Sequence, residues 1–241
     1  MKITHYCNSF MVIEIGGTRL GCDPWVGISS YGGWMTYPIT EGGEEILNEI
    51  DLTHLYISHI HADHMGGTNL FSENMLMAIN KDIPVYIKDF NIKHLFMRLK
   101  SFGFENIIEL TPWKASKISH EMGITIFPSD TSNLDSLEDE VNYDIDTSIL
   151  IRSLIDDSLF YNNVDSPITF NGMKKIREYS KNQGKIGNID LACIAVGAAA
   201  EFPQCFPDID RHFEKERIIN ISLNNFAKQL DILENNCYFP A

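Results

Sequence analysis

Residues 59 to 64 read His59, Ile60, His61, Ala62, Asp63 and His64, which puts three of the chain's eight histidines within six positions. Imidazole nitrogens and a carboxylate are the donors that a borderline divalent cation such as zinc, manganese or iron takes, and several must converge to hold one. His59 and His61 point the same way in an extended segment, because side chains repeat every two residues, so they can grip one ion together. Asp63 and His64 follow as the chain begins to turn toward Gly66 and Gly67, and can face a second ion beside the first. The spacing predicts a two-metal site. The alternative is a patch of polar surface residues on a loop, which would have to gather three histidines and an aspartate at this interval by coincidence.

The elements around this stretch explain how it would be positioned. Residues 55–58 are an apolar run suited to a buried strand, so the histidines fall where a strand gives way to a loop, a usual place for chemistry in an open α/β sheet. Upstream, 2–7, 10–15 and 18–22 read as short antiparallel strands, with Gly16 and Gly17 forming a hairpin signal. They lead into a loop rich in large aromatics, which either pack on the domain or line a cleft. Trp25, Trp34 and Tyr37 are its candidate substrate contacts. Downstream, helices are expected over 44–50, 68–77, 92–102, 169–181 and 209–235, and strands over 84–87, 107–110, 123–127, 147–152, 158–161 and 191–196. His94, on the third of those helices, reads as a surface residue. Residues 132–144 are acidic and poor in large apolar side chains, as in a loop near a site mouth. The strands on either side of residue 120 suggest two similar halves.

With 241 residues, 44% of them hydrophobic, and no Pro/Ser/Gly-rich linker, one domain over 1–241 is expected. A net charge of -14 repels polyanions and argues against nucleic acid or an anionic membrane as the main partner, leaving a small-molecule substrate. The first fifteen residues lack the unbroken apolar core of a signal peptide, and no run reaches transmembrane length. Five scattered cysteines without a Cys-x-x-Cys pair fit a reducing cytoplasm.

The 59–64 segment resembles the His-x-His-x-Asp-His signature of the metallo-β-lactamase superfamily. The resemblance implies an α/β fold, a four-layer αββα sandwich with its metal site at one edge. Asp23-Pro24-Trp25, Gly33-Trp34, Asp146-Thr147-Ser148, Asn163-Val164-Asp165-Ser166 and Phe202-Pro203-Gln204-Cys205 are similar to the pattern of the metallo-β-lactamase-like domain of CMP-N-acetylneuraminate hydroxylase and related bacterial proteins. The chain has no Cys-x-His pair with a second Cys-x-x-His, so the Rieske cluster of the full-length hydroxylase is not encoded within it. Asp165, after a strand, matches the superfamily's metal-bridging aspartate; read locally, it is a turn residue ahead of Pro167. Where the superfamily places a third histidine for the first metal, this chain offers Asp130, as a ligand or a simple turn carboxylate. An oxygen donor there suits manganese or iron better than three imidazoles would. No histidine stands at 197–206, where the superfamily's last ligand is expected, which leaves Cys205 and His212. The apolar ending, Tyr238 to Ala241, reads as a strand cut short.

The expected cofactor is therefore one or two divalent ions, zinc first, with iron or manganese as alternatives. Three functions compete. One is a hydrolase in which metal-bound hydroxide, oriented by Asp63, attacks an ester, lactone or phosphoester bond. The second is an iron-dependent oxygenase, or a subunit of one, acting on a nucleotide sugar and supplied with electrons by a redox partner. The third is a degenerate, non-catalytic metal-binding module.

Overall fold

The computed structural model describes residues 1–26, 43–66, 75–129, 146–166, 168–183, 187–196 and 207–240. Its first six strands form one sheet and its last six another. In the first sheet β1 (Lys2–Cys7), β2 (Phe10–Ile15) and β3 (Thr18–Cys22) are antiparallel, and β4 (His54–Tyr56), β5 (Val85–Lys88) and β6 (Ile107–Leu110) add in parallel. In the second, β7 (Ser116–Lys117), β8 (Met122–Pro128), β9 (Thr147–Ser153) and β10 (Leu159–Asn162) are antiparallel, and β11 (Leu191–Ile194) and β12 (Cys237–Pro240) add in parallel. Both sheets thus begin antiparallel and end parallel, the similarity that the two halves of the sequence suggest.

Three apolar clusters fix the order of the layers. Leu47 of α1 (Gly43–Ile50) and Leu95 and Leu99 of α2 (His94–Ser101) pack with Val12, Leu55, Ile57, Val85 and Ile87 on one face of the first sheet. From its other face Met11, Ile13, Leu20, Tyr56 and Tyr86 meet Ile124, Ile126, Ile149, Ile151 and Phe160 of the second sheet. Met173 and Ile176 of α3 (Phe170–Ser180) and Leu233 of α4 (Arg211–Leu233) then cover Leu150, Leu159 and Tyr161 on the far side. Neighbouring residues such as Tyr56 and Ile57 face opposite layers, as the strand period requires. Each large apolar side chain buried this way contributes about 1.5 to 3 kcal/mol before entropy is counted. The result is the expected helix, sheet, sheet, helix sandwich.

The boundaries depart from expectation in places. The strand expected over 55–58 ends at Tyr56. The Ile57 N–H still donates to the Tyr86 carbonyl at 3.2 Å, but the Ser58 N–H leaves the ladder for the Asp23 carboxylate at 2.7 Å. Of the helix expected over 68–77, a single 3₁₀ turn at Met75–Met77 lies within the described residues, and 132–144 lies outside them. The apolar ending does form a strand, β12, beside β11. No described helix is long and apolar enough to cross a membrane.

Candidate metal centre

Four chain segments deliver polar side chains to one edge of the sandwich. Asp23 follows β3, the histidines follow β4, Asp146 precedes β9 and Asp165 follows β10. The chain does not stay extended through the histidines. The N–H groups of His64 and Met65 both donate to the His61 carbonyl at 3.1 Å, a single helical turn closed by Gly66 at φ 80°. That turn swings His64 back over His59, with ring centroids 4.1 Å apart, while His59 Nε2 lies 2.8 Å from His61 Nδ1.

Two donor triads result: His59, His61 and Asp146, and His59, His64 and Asp165, each with ligand atoms within 4.8 Å of one another. His59 Nε2 is 3.6 Å from Asp146 Oδ1, and its Nδ1 is 3.8 Å from Asp165 Oδ1. His64 Nε2 is 3.4 Å from Asp165 Oδ2 and 3.5 Å from Asp63 Oδ2. A neutral imidazole has one lone pair, so His59 can serve only one triad at a time. His59 is thus common to both triads, where the sequence expectation puts His59 and His61 on one ion and His64 on another.

Behind the ligands stands a buried support. Asp23, fully buried at φ 48°, accepts from the Ser58 N–H through Oδ1, and its Oδ2 is 3.2 Å from His64 Nδ1. Ser58 Oγ is 2.9 Å from His59 Nδ1. Across the sheets, the Thr147 hydroxyl donates to the Ser58 carbonyl at 2.7 Å and meets the Tyr56 hydroxyl at 2.6 Å. Contacts of this kind fix ring orientation and tautomer.

Burial pushes His59 down to about 3, with the neighbouring His64 adding to it. Burial would also lower His64, but hydrogen bonds to Asp165, Asp23 and Asp63 outweigh it and hold the ring well above its ordinary value. For Asp63 and Asp165 burial acts upward, and the hydrogen bond and charge of His64 overcome it, keeping both carboxylates ionised. At Asp146 burial, then the charge of Asp165, outweigh the lowering charges of His61 and His64 and raise it to about 6. Its Oδ1 is buried and takes no hydrogen bond from the described residues. An orphaned carboxylate oxygen facing an imidazole nitrogen is where a cation would be coordinated, so the residues present fit a divalent metal.

Of the residues expected from sequence, His59, His61, Asp63, His64 and Asp165 come together at this edge. Asp130, Trp34, Tyr37 and Cys205 lie outside the described residues. Trp25 is 1% exposed; of its two roles it takes packing, and as a substrate contact it is corrected to a core residue. His94 is exposed at the start of α2. His212 is exposed on α4 and lies 3.4 Å from Glu216, outside both triads. Sequence reasoning missed Asp146 and Asp23 as parts of the site. For Asp146 one signal exists: the next two residues, Thr147 and Ser148, are hydroxyls at the head of a strand whose middle, Ile149 to Ile151, is apolar.

No family model matches the chain. Over 112 residues, 46% of the chain, it is 31% identical to a Mycobacterium tuberculosis protein described as a Rieske 2Fe-2S iron-sulfur protein. It is 30% identical over the same length to a counterpart in Mycolicibacterium smegmatis. The match spans about one fifth of the length of these relatives, 20% in each case. Among solved structures, the chain is similar over 100% of its length to a possible metal-dependent hydrolase from Veillonella parvula, with TM-score 0.64, 13% identity and 85% of that chain covered. It is similar over 100% of its length to isothiocyanate hydrolase from Delia radicum gut bacteria, with TM-score 0.62, 16% identity and 84% covered. Human tRNase Z, short form, gives TM-score 0.52 at 13% identity, over 97% of this chain and 85% of that one. Likeness at such identities is of fold, and the fold is the metallo-β-lactamase fold: two mixed sheets face to face with helices outside.

Proposed function

We propose that the chain is a metal-dependent hydrolase that cleaves an ester, lactone or phosphoester bond of a small molecule. The observation that carries this is the convergence of His59, His61, His64, Asp146 and Asp165 from both sheets into two overlapping donor triads. They would hold a divalent cation, zinc first and manganese or iron as alternatives, which when bound would supply an acidified water and offset charge developing on a substrate oxygen. Asp63, kept ionised beside His64, orients the attacking water and accepts its proton. Asp23 and Ser58 hold the His64 and His59 rings toward the edge. The net charge supports a small substrate over a polyanionic partner, and the scattered cysteines support a reducing cytoplasm. The test is hydrolysis of a panel of phosphodiesters, esters and lactones by protein of verified metal content. Turnover of any member is expected, and none across the panel would overturn the proposal.

One observation favours a second function, an iron-dependent oxygenase component acting on a nucleotide sugar. Each triad is two imidazoles and one carboxylate, the ligand set that suits non-heme iron(II). The partial relatives are described as Rieske proteins, which would provide electrons from outside this chain. Elemental analysis of protein purified without added metal, read beside the hydrolysis panel, separates them: zinc favours the hydrolase, and iron without turnover of the panel favours the oxygenase.

A further inference from the structure

The turn that carries Asp165 is anchored on both sides. Asn162, the last residue of β10, accepts the Val164 N–H on Oδ1 at 3.0 Å. Asn163 works at both ends of its side chain: its amide donates to the Ser166 carbonyl at 3.1 Å, and its Oδ1 accepts the Tyr161 hydroxyl at 2.8 Å. The Asn163 N–H donates to the Cys193 carbonyl at 2.9 Å, which ties the turn to β11, and the Ser166 N–H closes it on the Asn163 carbonyl at 3.1 Å. Between these anchors Val164 stands at φ 55° with its side chain buried. A β-branched residue takes a left-handed backbone only where its surroundings impose it, and such strain gathers at functional sites. The next residue is Asp165, whose carboxylate reaches His59 and His64.

We propose that Asn163 is a positioning residue for the metal centre. It holds Val164 in the left-handed region and so presents Asp165 to a cation that Asn163 itself does not touch. Without Asn163 the turn loses its side-chain tie to the Ser166 carbonyl and keeps only the Asn162 bond to the Val164 N–H, so the valine relaxes toward negative φ and the carboxylate swings off the histidines. A ligand fixed in place beforehand binds more tightly because its ordering is already complete. This rests on Asp165 being a metal ligand, so the test separates the two claims.

Zinc is titrated by calorimetry into the metal-stripped full chain carrying Asp165→Asn, Asn163→Ala, or both, with circular dichroism as the check on folding. Each single change is expected to weaken the same zinc equivalent, Asn163→Ala by roughly tenfold or more, as for other groups that orient a ligand from behind. The double variant should bind zinc within about twofold of Asp165→Asn alone, because Asn163 acts through a carboxylate already gone. Losses that add, or a folded Asn163→Ala with wild-type zinc affinity, would overturn the proposal. Should Asn163→Ala fail to fold, Asn162→Ala, which frees the Val164 amide, must show the same lack of additivity. Unchanged zinc binding in Asp165→Asn would strike at the ligand assignment itself and remove the proposal with it.

Discussion

His59 is the residue on which the centre turns. It belongs to both triads, whereas His61 and Asp146 belong to one and His64 and Asp165 to the other. His59→Ala should therefore abolish zinc binding, while His61→Ala should leave the His64 and Asp165 side able to bind, as titration of the metal-stripped protein would show. Circular dichroism should change little in either variant, since both rings stand beyond the end of β4 and outside the apolar clusters; collapse would mark the metal as structural. The histidines were legible because their donors lie within six residues of one another. Asp146 was not, because its role depends on two sheets packing face to face, which no local spacing reports. Trp25 shows the reverse limit, since an aromatic beside a presumed site looks the same in sequence whether it lines a cleft or fills a core.

At the scale of elements, β4 and β9 are joined through side chains, Tyr56 to Thr147 and Thr147 to the Ser58 carbonyl, all buried. Thr147→Val keeps the shape but strands both the tyrosine hydroxyl and the carbonyl, so it should cost about 1 to 3 kcal/mol in denaturant unfolding. Tyr56→Phe removes its own polar group along with the contact and should cost less. An order reversed from this would show that the bridge does not join the sheets. Most strands were legible as short apolar or alternating runs and α3 from its amphipathic spacing, whereas the two-residue β7 was not; α3 is capped by Thr169, whose side chain accepts from the Gly172 N–H. The end of β4 was misplaced because the pull of a distant Asp23 on the Ser58 N–H, and not local propensity, decides where the ladder stops.

For the molecule as a whole, the charged edge sets a pH dependence in the metal-free state. Asp146 and His64 are raised in the fold, so the stability they contribute is present at low pH and lost as pH climbs, for Asp146 between its ordinary 3.8 and about 6, and for His64 above its ordinary 6.5. Asp63 and Asp165 are lowered, so theirs is lost as pH falls below the ordinary 3.8. His59, lowered to about 3, acts the other way, its contribution being lost as pH falls below the ordinary 6.5, so it offsets Asp146 between 4 and 6. Asp146→Asn should therefore make the metal-free protein gain more stability than wild type as pH rises from 4 to 6, as thermal melts across pH would reveal. Bound metal should take the place of the His64 proton, so affinity should rise with pH. The four-layer order was legible from the resemblance of one short segment. A site at one edge joining Asp165 to the histidines was implied by the same resemblance, whereas the part of Asp146 in it was not, and this sharing of one edge by both sheets bears on stability as well. The histidines hang from one half and Asp146 and Asp165 from the other, so an ion held between them would act as a clasp, adding about 4 kcal/mol when free metal stands a thousandfold above its dissociation constant. In a cell starved of that metal the protein would be more than idle: its seam would ease apart, and proteolysis would clear the unclasped copies first.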